Sequence, residues 1–233
     1  EDATRMLQAM EPLFAARPLL HFKRTVLKAL VLHPRCQGMA AQRALLKALE
    51  LAAPGECRRA FLDEGPRDGE VVVMLHGNPS WSYYWRHLVS GLSDRYRCIV
   101  PDHVGMGLSD KPDDSRYEYT LQSRVDDVAA LLRHLGITGP VTLAVHDWGG
   151  MIGFGWALSH AAQVKRLVIT NTAAFPMPAT KKMPWQIALG RDWMIGEWII
   201  RGFNAFSAGA SWIGVERRMP AEVRRAYVSP YGT

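Results

Sequence analysis

Two short stretches carry the residues able to do chemistry: His146-Asp147-Trp148-Gly149-Gly150 and His76-Gly77-Asn78-Pro79-Ser80-Trp81. The first follows the apolar run Val141-Thr142-Leu143-Ala144-Val145 and leads into a helical pattern, so Asp147 sits at a sharp strand-to-helix turn. In a G-x-S-x-G turn the small residues let the chain bend tightly while the central side chain is pushed out above a sheet. Here that slot holds aspartate. A carboxylate attacks carbon without prior deprotonation and leaves a covalent ester on the protein. The bland alternative is a tight turn in which Asp147 caps the helix that follows.

The second stretch lies directly after the apolar run 71–75, and the two converge if both runs are strands of one parallel sheet. Asn78 and Trp148 then flank Asp147. Main-chain N–H groups, the Asn78 amide and the Trp148 indole are donors suited to a negative charge appearing in an apolar pocket. Asp102, His103 and the Gly105-x-Gly107-x-Ser109-Asp110 loop are expected to shape the rim, since no Walker lysine follows. His146 is expected to be a packed, hydrogen-bonded neighbour rather than a base. His21, His33, His87, His134 and His160 read as helix or surface residues, and no pair has metal-ligand spacing. The residues call for neither metal nor cofactor.

Several elements must position these groups. Residues 59–62 read as an edge strand, 71–75 as a buried strand, 83–93 as a helix and 96–100 as a strand. A helix over 120–135 opens on an N-cap-like Thr120, and strand 140–146, a helix to about 163 and strand 166–170 complete the series. Such alternation implies an α/β fold: a mostly parallel sheet with helices on both faces and ligands at the carboxyl ends of its strands. Residues 1–53 read as a helical N-terminal extension broken at Pro18, Pro34 and Pro54, with packing helices favoured over a membrane-surface element. Residues 54–171 form the core. Residues 172–233, with Trp185, Trp193, Trp198, Phe203, Phe206 and Trp212, read as part of a helical cap over an apolar pocket.

The 233 residues suit one domain, or one domain with an appendage. A net charge of +6 is spread over scattered pairs such as Lys181-Lys182 and Arg224-Arg225, which argues against a nucleic-acid partner. The three cysteines, Cys36, Cys57 and Cys98, have no disulfide-framework or metal spacing, so a reducing cytoplasm is expected. No apolar run reaches the roughly 18 residues of a membrane span, and membrane association has no other signal.

His76-Gly77-Asn78-Pro79 together with His146-Asp147-Trp148-Gly149-Gly150 resembles the haloalkane dehalogenase branch of the α/β-hydrolase superfamily. Within it, 96–103, 107–112, 171–176 and 201–206 look most like the β-lactone decarboxylases of bacterial long-chain olefin biosynthesis. The resemblance implies that Asp147 attacks an apolar small-molecule substrate while Asn78 and Trp148 hold the anion that forms. Two reactions follow from it: loss of carbon dioxide from a cis-3,4-dialkyl β-lactone to give a cis-alkene, or hydrolytic expulsion of halide. It also implies partner enzymes of a hydrocarbon pathway. A non-catalytic binding module on the same fold is the third reading.

The chain departs from that family in three respects. Asn171 stands where one dehalogenase branch has its catalytic acid, and residues 1–53 replace the strand pair the family has at its start. The chain also stops at Thr233, ahead of the strand, acid and histidine that the family pattern places later. The expectation is therefore a fragment, truncated at its C-terminus, with an exposed sheet edge and an isolated chain that is inactive or turns over once.

Overall fold

The computed structural model describes residues 59–174 and 205–231. The expectations for residues 1–53, for His21, His33, Cys36 and Cys57, and for Trp185, Trp193, Trp198 and Phe203 lie outside the described residues. Strands β1 (Phe61–Glu64), β2 (Glu70–Leu75), β3 (Tyr96–Pro101), β4 (Val141–His146) and β5 (Val164–Thr170) form one sheet, in the order β1-β3-β2-β4-β5. β1 runs antiparallel on β3, and every other pairing is parallel. Helix α1 (Arg86–Leu92) follows β2, α2 (Leu121–His134) follows β3, and α3 (Trp148–Ser159) follows β4.

Side chains alternate across a strand, so an uninterrupted apolar run needs cover on both faces. Val73 and Leu75 of β2, with Ile99, Leu143 and Val145, pack on one face with Val125, Val128 and Leu132 of α2 and Ile152 and Trp156 of α3. Val72, Met74, Cys98, Val100 and Ala144 turn the other way, onto Trp85 and Val89. Each Val, Leu, Ile or Met among these contributes about 1.5–3 kcal/mol when fully buried.

β5 is built differently. It carries the same apolar texture, yet Leu167, Val168 and Ile169 are 42%, 46% and 55% exposed. Its pairing with β4 steps from Val141↔Val164 to Thr142↔Arg166, leaving Lys165 as an extra residue in a bulge. The bulge brings two consecutive cations to one carboxylate: Glu70 of β2 accepts from Lys165 Nζ at 2.7 Å and Arg166 Nη1 at 2.5 Å, and from Thr142 Oγ1 of β4 at 3.1 Å.

Two helix boundaries differ from the sequence expectation. The stretch expected as helix 83–93 begins with a 3-10 turn, Ser82–Trp85, before α1. The helix expected to reach about 163 stops at Ser159, because His160 leaves helical geometry at φ −132 and ψ 37. Its ring stacks on Trp156 at 4.6 Å and its Nδ1 lies 3.0 Å from the Trp156 carbonyl, taking up an acceptor that a helix end leaves unpaired. α2 starts as expected, with Thr120 accepting from the Ser123 N–H at 3.1 Å.

Residues 59–174 and 205–231 fall in two compact units. In the second, α4 (Ala205–Ile213) packs with α5 (Ala221–Val228). Arg218 and Arg224 lie over the ring of Trp212, at 4.8 and 4.0 Å from its centroid. Phe206 and Trp212 are 41% and 50% exposed, so neither is packed as a core residue. Among the described residues no helix is long and apolar enough to cross a membrane.

Candidate active site

The turn from β4 into α3 is tight because its small residues remove obstacles. Gly149 lies against the Leu75 and His76 carbonyls, where a Cβ would collide with main chain. A Cβ on Gly77 would run into the Asp147 side chain itself. Asp147 sits at φ 52 and ψ −127, a backbone state that costs a non-glycine residue about 1–3 kcal/mol and persists only where its surroundings enforce it. Those surroundings include Thr172, just past β5, whose hydroxyl donates to the Asp147 carbonyl at 2.5 Å, and the Gly150 N–H, which reaches the same oxygen at 2.9 Å.

Asp147 occupies the N-cap position of α3, yet its side chain makes no capping hydrogen bond. Its Oδ1 instead accepts from the main-chain N–H of Asn78 across the turn, at 2.9 Å. The bland reading of a capping aspartate therefore does not describe this turn. Of the residues singled out from sequence, the structure brings Asp147 and Asn78 together. Trp148 opens α3 beside them with 41% exposure. His146 is stacked on Tyr84 at 4.5 Å, and burial lowers its pKa. It is packed as expected, but its Nδ1 is buried with no hydrogen-bond partner. His87 and His134 are exposed.

Asp102 and His103 are a correction: they lie in the interior, 3% and 4% exposed, and not on a rim. Asp102 Oδ1 accepts from the Ser82 N–H and Oδ2 from the Leu108 N–H, each at 2.7 Å, stapling the loop after β2 to the loop after β3. A Cβ at Gly107 would strike this carboxyl. Burial pushes Asp102 up to about 6, the two N–H donors pulling against it. Burial lowers His76 to about 4, and holds His103 well below the usual imidazole range. Sequence reasoning also missed Thr172, whose only signal is its place immediately beyond β5. Among the described residues no cluster of metal-ligating side chains occurs.

A family model described as the alpha/beta hydrolase fold matches residues 70–205. The chain belongs to the α/β-hydrolase fold family. Similar members include a cis-3-alkyl-4-alkyloxetan-2-one decarboxylase of Xanthomonas campestris pv. campestris, 81% identical over 74% of this chain and 59% of the relative. One of the same name from Shewanella oneidensis is 54% identical over 74% of this chain and 54% of its own length. A haloalkane dehalogenase of Mycolicibacterium paratuberculosis is 37% identical over 75% of this chain and 55% of its own. The chain thus spans somewhat more than half the length of these relatives. Among solved α/β-hydrolase structures, an ancestral haloalkane dehalogenase matches with a TM-score of 0.66 at 28% identity, over 78% of this chain and 64% of that one. A haloalkane dehalogenase of Bradyrhizobium elkani matches at 0.66 and 29%, over 78% and 62%.

Proposed function

We propose that Asp147 is the nucleophile of a β-lactone decarboxylase of long-chain olefin formation, with Asn78 and Trp148 holding the anion that develops. The observation that carries this reading is the Asp147 carboxylate itself, held in a strained turn, released from capping and met by the Asn78 N–H at 2.9 Å. The 81% identity to the Xanthomonas decarboxylase supports the choice of substrate class.

Written for a cis-3-alkyl-4-alkyloxetan-2-one, the substrate named for that relative, the reaction balances without a cofactor. An Asp147 oxygen attacks C4, the alkyl-bearing ring carbon bonded to the ring oxygen; the C4–oxygen bond breaks with relief of ring strain and frees the substrate's carboxylate. The neighbouring carbon–carboxylate bond then breaks. Its electron pair forms the alkene, the ester bond returns its pair to Asp147, and carbon dioxide leaves. Backside attack followed by anti elimination, with no rotation between them, keeps the two alkyl groups cis. The dehalogenase route shares the first displacement but needs water to cleave the ester. We assign the activity to a reducing cytoplasm, consistent with a free, buried Cys98, and to a pathway whose other enzymes supply an apolar lactone.

The test is to incubate the chain separately with a cis-dialkyl β-lactone and with a 1-haloalkane. Alkene and carbon dioxide from the first, both lost in Asp147→Asn, are expected. Halide release alone would assign the dehalogenase reaction, and neither product from this chain or from a C-terminally extended form, with ligand binding intact, would leave a binding module.

A further inference from the structure

The peptide unit between Gly77 and Asn78 has its two ends held by different partners. Its N–H meets Asp147 Oδ1 at 2.9 Å. Its carbonyl oxygen accepts from the Ser80 N–H and the Ser80 hydroxyl, each at 3.0 Å, and lies 3.1 Å from His76 Nδ1. A peptide unit is planar, with N–H and C=O pointing in opposite directions, so whatever grips the oxygen sets the line of the N–H. The Ser80 donors belong to the same loop. His76 is the grip that ties it to the interior, at the end of β2 and 0% exposed.

We propose that His76 is a positioning residue: its ring, held as the Nδ1–H tautomer by the main-chain amide of His103, fixes the Gly77–Asn78 peptide so that the Asn78 N–H stays aimed at the Asp147 carboxylate. The tautomer follows from donors and acceptors. The His103 main-chain N–H can only donate, and it points at His76 Nε2 at 3.2 Å, so Nε2 is the acceptor and the ring proton resides on Nδ1. Nδ1–H then donates to the Gly77 carbonyl. The second contact closes the pair: His103 Nε2 lies 3.1 Å from the His76 carbonyl and donates to it. Each histidine thus binds the other's main chain through its ring, with centroids 4.4 Å apart. Moving the His76 proton to Nε2 would set donor against donor inside a sealed site and leave the Gly77 carbonyl to the Ser80 donors of its own loop, a loss of two hydrogen bonds together.

His103 in turn follows Asp102, whose carboxyl staples the loops after β2 and β3. The order of support runs from Asp102 and His103 through His76 to the Asn78 N–H. The catalytic meaning of that aim rests on the reading of Asp147 as nucleophile; the tautomer and the aim do not.

Asparagine places its amide nitrogen near the Nδ1 position of histidine, and glutamine reaches the Nε2 position. In the 15N-labelled full chain, ring spectra are expected to show a protonated Nδ1 and a bare Nε2. The Asn78 amide proton is expected downfield, and Asp147→Asn should reduce that shift and Asp147→Ala abolish it, identifying the Asp147 side chain as its cause. His76→Asn should retain most of the shift and keep kcat on a β-lactone within about tenfold of wild type. His76→Gln should lose it and lower kcat about a hundredfold, with KM within about twofold. A protonated Nε2 in the wild-type ring overturns the proposal without any variant, as does an Asn78 shift or kcat that falls alike in both variants. Absence of alkene from wild type and from a C-terminally extended form alike would sink the assigned reaction alone, leaving the ring spectra and the Asn78 amide to decide the role of His76.

Discussion

β4 and β5 lie side by side with similar apolar runs, and the structure treats them oppositely: Leu143 and Val145 are 0% exposed, whereas Leu167 and Ile169 are 42% and 55% exposed. The nucleophile turn grows from the sealed strand. That placement makes mechanical sense, because a residue held at φ 52 needs packed neighbours that leave it no alternative. The open strand reaches the turn from its far end, where the Thr170 hydroxyl donates to the Val145 carbonyl and the Thr172 hydroxyl, just past the strand, to the Asp147 carbonyl. Precision is demanded of the centre, and the edge is required mainly to hold its register.

The sharpest way to break this contrast is at the turn. Asp147→Asn keeps an oxygen for the Asn78 N–H but removes the nucleophile, so alkene formation should fall at least about a thousandfold while Tm moves by no more than a few degrees. A large drop in Tm would mean that the carboxylate serves the fold first. Next comes packing: Leu143→Ala should cost about 3–4 kcal/mol and Leu167→Ala about 1 kcal/mol or less, read from urea unfolding. Equal costs would erase the distinction between the strands.

Acid probes the sealed loops. With His76 lowered to about 4 and His103 lower than usual, the unfolded chain takes up those protons first as pH drops below about 6.5, and stability is lost from there toward pH 4. Asp102, raised to about 6, binds its proton first in the folded state and opposes that loss between about pH 6 and 4. Its Oδ1 lies 3.9 Å from His76 Nε2, while the charges of Arg124 and His146 favour neutral His76. Tm should therefore fall between pH 6.5 and 4, and fall more steeply in Asp102→Asn. A Tm unchanged by pH over that range, or a shallower slope in the variant, would contradict the burial of these groups. The smallest effect is expected on an exposed cap: Thr120→Ala should cost about 1 kcal/mol by the same urea measurement.

The central strands, the turn at Asp147 and the Thr120 cap were legible because each has a local cause: an unbroken apolar run, small residues around one polar side chain, a hydroxyl three residues ahead of an N–H. The openness of β5 was not legible in its own residues, since the same run describes a strand covered on two faces or on none; the exposed sheet edge was expected only from the family resemblance. Nor were the interior places of Asp102 and His103. Polar residues in a Gly-rich loop normally face water, and only the donors arriving from Ser82 and Leu108 make this burial affordable. The end of α3 at Ser159 depended on the His160 ring finding the Trp156 carbonyl, a contact that residue type alone does not announce.

The pairing that resumes at Arg166, just past the bulge, sets where β5 ends near Asp147. β5 acts as a ruler laid between Glu70 and Asp147, and Arg166 sets its zero mark. Excising Lys165 would remove the bulge yet leave Arg166 on Thr142, whereas excising a residue beyond it, such as Val168, would set every later residue back by one notch, turn Ile169 to the reverse side, and carry the Thr172 hydroxyl out of reach of the Asp147 carbonyl. A salt-sensitive clasp of two cations on one carboxylate thereby keeps the distant turn in phase.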